Sequence, residues 1–249
     1  MHERFMFGAL SRLVRPGDVV YDVGANLGLY SRFFAQVFGA SKVLAFEPMS
    51  GNRADLQRNL LLGGVNDRVQ IFPCALAETE GEELLQLDEV ASGAAVLDRV
   101  SGGQASESHR QYGVEPRTER VRVRTLDALA RAESLHPPGV IKIDVEGAEA
   151  LVLRGGRETI ARYRPRLAIE LHGPDTAREV LPILHEHGYA VAAHGYRRGE
   201  YWFASVGPDA AREAVEPYEF HFVFAAESSA VFDPPFARWN ADGKDRGAP

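Results

Sequence analysis

Cysteine, tryptophan and long apolar runs are all scarce in this chain. One cysteine, Cys74, stands among 249 residues, so no intramolecular disulfide is available to staple the fold. A lone thiol suits a reducing compartment, and the cytoplasm is the expected location. No apolar stretch approaches the roughly 20 residues that cross a bilayer, so no membrane span is expected. The opening MHERFMFGALSRL lacks the long apolar centre and small-residue cleavage site of a signal peptide. Positive charge is short as well. Lys and Arg total 28 against 35 Asp and Glu, a net charge of −7, which argues against a broad electrostatic grip on nucleic acid.

What is present is an alternation of apolar runs with amphipathic segments. Val19–Val23, Lys42–Phe46, Val69–Phe72, Val140–Ile143 and Arg166–Leu171 read as strands, and Tyr189–Ala193 and Phe220–Phe224 as closing strands. Between them, helices are expected over Tyr30–Phe38, Asn52–Leu62 (stopping at Gly63-Gly64) and Ala148–Tyr163, with another from Pro174 to about His187-Gly188. Strands alternating with helices predict a mostly parallel, doubly wound α/β sheet. The length suits one large domain. Its expected parts are an N-terminal helical segment (1–16) with Phe5, Leu10 and Leu13 inward, a main domain over 17–226 and a loosely held tail over 227–249. Residues 98–120, DRVSGGQASESHRQYGVEPRTER, read as a polar insertion loop serving as a lid or an idle surface excursion.

Four acids fall in or just after the last residues of expected strands: Asp22, Glu47, Asp144 and Glu170. In open α/β sheets, ligands bind outside the carboxyl ends of the strands. The turn after the first strand reads DVGANLG, and its glycines at 24 and 28 permit a tight bend and close approach of a ligand to backbone. The next helix offers free N–H groups. A dinucleotide fingerprint needs glycine where Asn26 stands, and a phosphate loop needs Gly-Lys-Ser/Thr at its end. Glu47 lies about 20 residues beyond the turn, where a carboxylate accepts both hydroxyls of a ribose. The pattern points to an adenosine-containing ligand without a pyrophosphate.

DVGANLGLYS (22–31), AFEP (45–48), RVRTLDAL (122–129), RPRLAIELH (164–172) and above all IKIDVEGAEALVLRG (141–155) resemble the FkbM-type family of S-adenosylmethionine-dependent methyltransferases over roughly residues 17–195. The resemblance implies a class I methyltransferase (Rossmann-like) fold, with a seven-stranded, mostly parallel sheet, helices on both faces and an antiparallel last strand. It implies S-adenosylmethionine as donor and S-adenosylhomocysteine as product. The acceptor would be a small hydroxylated molecule: a sugar, glycoside, polyketide or related natural product. Asp22, Gly24, Asn26 and Gly28 would then hold the methionine part of the donor, Glu47 the ribose, and Ala75 the adenine through its backbone.

Methyl transfer to a hydroxyl needs alignment of the acceptor oxygen and removal of its proton. His172 follows Glu170 by two positions and would share its face, so His172 is the expected general base. Asp144 and Glu170 are candidate ligands for a divalent ion such as magnesium, or direct partners of substrate hydroxyls. Glu146 has the parity of Asp144 and is a candidate substrate contact. Glu149 reads chiefly as a helix-dipole residue. GYRRGEYWF (195–203) reads as a stacking wall or an aromatic-rich strand, and His109 and Tyr112 are candidate acceptor contacts in the long loop. Two rival functions remain at this point. One is a nicotinamide-dependent oxidoreductase, against which the glycine spacing argues; the other is a non-catalytic nucleoside-binding module.

Overall fold

The computed structural model describes residues 7, 10, 11, 13–87, 95–97, 100, 117–172, 174–197 and 200–206. In chain order it contains β1 (Val19–Val23), α1 (Leu29–Gln36), β2 (Lys42–Phe46), α2 (Ser50–Gly63), β3 (Val69–Phe72), β4 (Ala75–Leu76), β5 (Gly81–Leu87) and β6 (Ala95–Leu97). There follow β7 (Arg117–Arg124), α3 (Leu126–Ala132), β8 (Val140–Ile143), α4 (Glu149–Gly155), α5 (Arg157–Tyr163), β9 (Arg166–Leu171), α6 (Pro174–Glu186), β10 (Ala190–Arg197) and β11 (Glu200–Val206). No helix among the described residues is long and apolar enough to cross a membrane.

The main sheet has the order β10-β11-β9-β8-β1-β2-β3. The pairs from β9 through β3 are parallel, while β11 runs antiparallel to both of its neighbours. Near-continuous apolar runs form these central strands because helices cover both faces of a parallel sheet. Side chains alternate across it. Tyr21, Val23, Leu44, Phe46, Ile141 and Ile143 enter one core with residues of α3 to α6. Val20, Val43, Ala45 and Val140 enter the other, with Phe34 of α1, Leu56 and Leu60 of α2, and Leu10 and Leu13 of the N-terminal segment. Each large side chain buried there contributes about 1.5–3 kcal/mol relative to exposure.

The sheet ends β1, β2 and β8 at one level, and this alignment builds the site. Cα partners in register are Asp22 with Ala45 on one side and Lys142 on the other. Asp22 and Lys142 therefore project to the same face, that of α1.

A second, four-stranded sheet of order β4-β7-β5-β6 was not expected from the sequence. Val121 and Val123 of β7 turn inward between outward arginines and pack with Ala75, Leu85 and Leu97. Residues 117–120, read as the end of the polar loop, thus open a strand, whereas 101–116, with His109 and Tyr112, lie outside the described residues.

The single helix expected over 148–163 is two. A Cβ on Gly155 would stand 2.0 Å from the carbonyl oxygen of Ala77, so the chain touches β4 closely there and restarts. Asp127 accepts from the backbone N–H of Glu158 and Thr159 at 2.9 and 2.8 Å and so caps the second piece. The helix stop at Gly63-Gly64 is observed, with Gly64 in the left-handed region donating to Leu60 and Leu61 carbonyls. The closing pair is β10 and β11, which hold 195–197 and 200–203 of GYRRGEYWF; Phe220–Phe224 and the tail over 227–249 lie outside the described residues.

Candidate active site

A cleft with about 690 Å³ of empty space, counted out to its open mouth, lies at the carboxyl ends of β1, β2 and β8. Gly24, Asn26, Glu47, Ala75, Asp144 and Glu146 line it, and Phe46, Met49, Leu76, Leu85, Leu97 and Val145 supply apolar wall. Leu85 and Leu97 come from the second sheet, which therefore roofs one side.

Backbone geometry makes the turn. Gly24 (φ +74) brings β1 so close to β8 that a Cβ would stand 1.9 Å from the Asp144 carbonyl oxygen. Its N–H and that of Ala25 both donate to Phe46 O at 3.1 Å. Asn26 takes φ 50, and a Cβ on Gly28 (φ +82) would collide with Leu56 of α2 at 2.2 Å. At the two glycines the chain passes where an added side chain would meet its neighbours.

Glu47 is 4% exposed. Oε2 accepts from Asn26 N at 2.8 Å and Oε1 from Met49 N at 2.9 Å, and the Asn52 side chain adds a further hydrogen bond, so the carboxylate is held at the cleft wall. Burial raises its pKa against those donors. A bare-backbone turn, a carboxylate anchored to it and apolar walls beside them fit a nucleoside bearing a flexible polar arm.

Asp22 does not line the cleft. Completely buried, it accepts from Ser31 Oγ at 2.6 Å and pairs with Lys142 Nζ at 3.4 Å. Burial raises its pKa, opposed by Lys142 and Ser31. Lys142 also donates to Gly24 O at 3.0 Å, pairs with Asp144 Oδ2 at 3.2 Å and lies 4.9 Å from the Tyr30 ring centre. Burial alone would lower the lysine pKa, but Asp144 and Asp22 outweigh it and hold the ammonium charged. Asp22 thus acts on the turn from beneath.

At the other end of the cleft, His172 sits among acids. Nδ1 is 2.7 Å from Glu149 Oε1, and Nε2 is 3.4 Å from Glu146 and 3.8 Å from Asp144. Burial disfavours its charge, yet the hydrogen bond to Glu149 and the charges of Glu146, Glu149 and Asp144 push its pKa up to about 10. Nδ1 is engaged by Glu149, so the expectation of His172 as general base rests on Nε2 alone, which faces Glu146 and Asp144. Asp144, Glu170 and His172 offer ligand atoms all within 4.8 Å of one another. Glu146 adopts φ 50, unusual for a non-glycine residue and worth notice at a cleft.

Sequence reasoning missed Lys142 and underrated Glu149. The first had a signal: a lysine inside an apolar strand, two positions before an acid, is buried beside it by strand alternation. The second had none, because its partner lies 23 residues on.

Strand order, antiparallel β11 and the position of the cleft define a class I methyltransferase, Rossmann-like fold. The Methyltransferase FkbM domain matches residues 22–191, and the chain belongs to this family of methyltransferases. It is 30% identical over 201 residues to the 31-O-demethyl-FK506 methyltransferase FkbM of Streptomyces tacrolimicus, a match covering 72% of this chain and 75% of that protein. It is 27% identical over 207 residues to the AMB antimetabolite synthetase AmbE of Pseudomonas aeruginosa. That match covers 71% of this chain and 10% of the relative, so the chain spans about a tenth of AmbE. The solved ribosomal protein L11 methylase of Lactobacillus delbrueckii subsp. bulgaricus has a TM-score of 0.52 at 10% identity, with 82% of this chain and 78% of that one covered. This last likeness is one of fold.

Proposed function

We propose that the cleft binds S-adenosylmethionine and directs its methyl group to a hydroxyl of a sugar, glycoside, polyketide or related natural product. The observation that carries the reading is Glu47, anchored at the cleft wall by the backbone N–H groups of Met49 and of Asn26 in the glycine turn. S-adenosylmethionine supplies a methyl group on a positively charged sulfur that departs as a neutral thioether.

The chain's own residues supply binding and proton handling. Glu47 accepts the ribose hydroxyls, Ala75 and its neighbours meet the adenine, and Gly24, Asn26 and Gly28 leave room for the amino-acid arm. Asp22 keeps that turn in place through Ser31 and Lys142. Acidic side chains around the cleft favour the donor's positive charges. Glu146, lining the cleft 3.4 Å from His172 Nε2, takes the hydroxyl proton as the new C–O bond forms. Leu85 and Leu97 favour an acceptor with an apolar surface beside its hydroxyl. The relative acting on a 31-O-demethyl compound supports oxygen as the methylated atom.

Isothermal titration with S-adenosylhomocysteine tests the donor site. Binding is expected, and Glu47→Ala should weaken it by at least tenfold with the fold retained, as read by circular dichroism. A folded sample that ignores the ligand refutes the reading. Binding without transfer to any panel of hydroxylated acceptors would instead favour a non-catalytic module.

A further inference from the structure

We infer that Asp144, Glu170 and His172 hold one divalent first-row cation, with Glu149 as the residue that orients the histidine, and that the cation presents the acceptor oxygen. The site stands on these four side chains; its role in presenting the acceptor rests on the methyl transfer proposed above.

Adjacent parallel strands bring the donors together. Asp144 follows β8, Glu170 ends β9 on the neighbouring strand, and His172 lies two residues on. One ligand atom from each falls within 4.8 Å of the others, and His172 Nε2 is 3.8 Å from Asp144 Oδ1. With bonds of about 2.1 Å, an octahedral ion separates adjacent donors by roughly 3.0 Å and opposite donors by roughly 4.2 Å. The donors must therefore draw together to close around an ion.

Glu149 is a second and independent observation. It is 0% exposed, its Oε1 meets His172 Nδ1 at 2.7 Å, and its Oε2 is buried without a hydrogen-bond partner. A carboxylate taken wholly out of water is costly unless its contacts matter. Here it fixes the ring so that Nε2, the other nitrogen, faces Asp144 and Glu146. A carboxylate behind a histidine is how proteins orient an imidazole toward a metal. The oxygens of Asp144 divide the work: Oδ2 meets Lys142 while Oδ1 faces the ring.

One imidazole and two carboxylates suit manganese, iron, cobalt or zinc better than calcium. Three protein donors leave positions for water and for the acceptor. Asp144 lines the cleft, so those positions open toward it. An acceptor hydroxyl bound there is both placed and made more acidic. Glu146 stands outside the donor set, ready to take its proton.

Manganese(II) titrated into the intact protein, read by the six-line electron paramagnetic resonance of the free ion, tests this. One ion per chain should be captured. Asp144→Asn, Glu170→Gln and His172→Ala should each weaken capture at least tenfold, and Glu149→Gln about 10- to 100-fold, in samples whose circular dichroism is unchanged. Asp144 and His172 are partly exposed, so their variants keep the test decisive should Glu149→Gln fail to fold. No capture at millimolar manganese overturns the inference, as does capture that survives all three ligand substitutions. S-adenosylhomocysteine titrated into the same samples separates the two readings. Nucleoside binding without manganese capture overturns the cation site alone, and manganese capture without nucleoside binding supports it while removing the donor assignment.

Discussion

Replacing Gly24 with alanine should distort the strand-end alignment on which the cleft depends. Two costs combine. The first is backbone strain: φ +74 is a left-handed conformation that costs a side-chain-bearing residue about 1–2 kcal/mol. The second is steric. The new Cβ would stand 1.9 Å from the Asp144 carbonyl oxygen and 3.2 Å from Val145 Cγ1, so β1 and β8 must part by about an ångström. Overpacking of this kind costs about 1–3 kcal/mol. The 3.1 Å bond from Asp144 N to Val23 O is strained with it, at about 1 kcal/mol. Together these give roughly 3–6 kcal/mol, or a thermal midpoint lower by roughly 6–24 °C for a chain of this size. Gly17→Ala is the matched control. Gly17 has φ +90 with nothing within 4 Å of an added Cβ, so only the backbone cost of about 1–2 kcal/mol applies. Scanning calorimetry of both variants, with S-adenosylhomocysteine titration of the folded fraction, provides the comparison. Equal destabilisation of the two would show that the close approach of β1 and β8 has been misread.

Lys142→Met should destabilise by about 3–5 kcal/mol, because Asp22 stays buried without its cation. Urea unfolding measures this, and adding Asp22→Asn should restore part of the loss. Asp127→Ala should cost about 1–2 kcal/mol through the lost cap on α5, seen as a lower thermal midpoint with methyl transfer unaltered. Glu146→Gln should lower turnover about 10²- to 10⁴-fold and leave S-adenosylhomocysteine affinity within a factor of two; unchanged turnover would remove Glu146 as proton acceptor.

The parts of the fold that were legible rested on local signals. Continuous apolar runs marked the five parallel strands, and the glycines at 24 and 28 marked the turn because a positive φ favours glycine at both. The second sheet was hidden for physical reasons. β4 has two residues, too few to show a period, and the arginines of β7 disguised an alternating strand as polar loop. The break at Gly155 depends on the carbonyl of Ala77, which no helical periodicity reveals. At the site, the acids could be placed by position, but their partners could not. The surroundings of His172 are made by Asp144, Glu146 and Glu149 jointly, a grouping that only the assembled molecule creates.

Lys142 touches the carbonyl of Gly24 on one side and the carboxylate of Asp144 on the other. A single ammonium at the sheet's centre therefore spans the gap between the place proposed for the methyl donor and the place proposed for the oxygen that receives it. The length of that jump is gauged by the sheet interior, and the variable rim can change its preferred guest while the stroke stays the same.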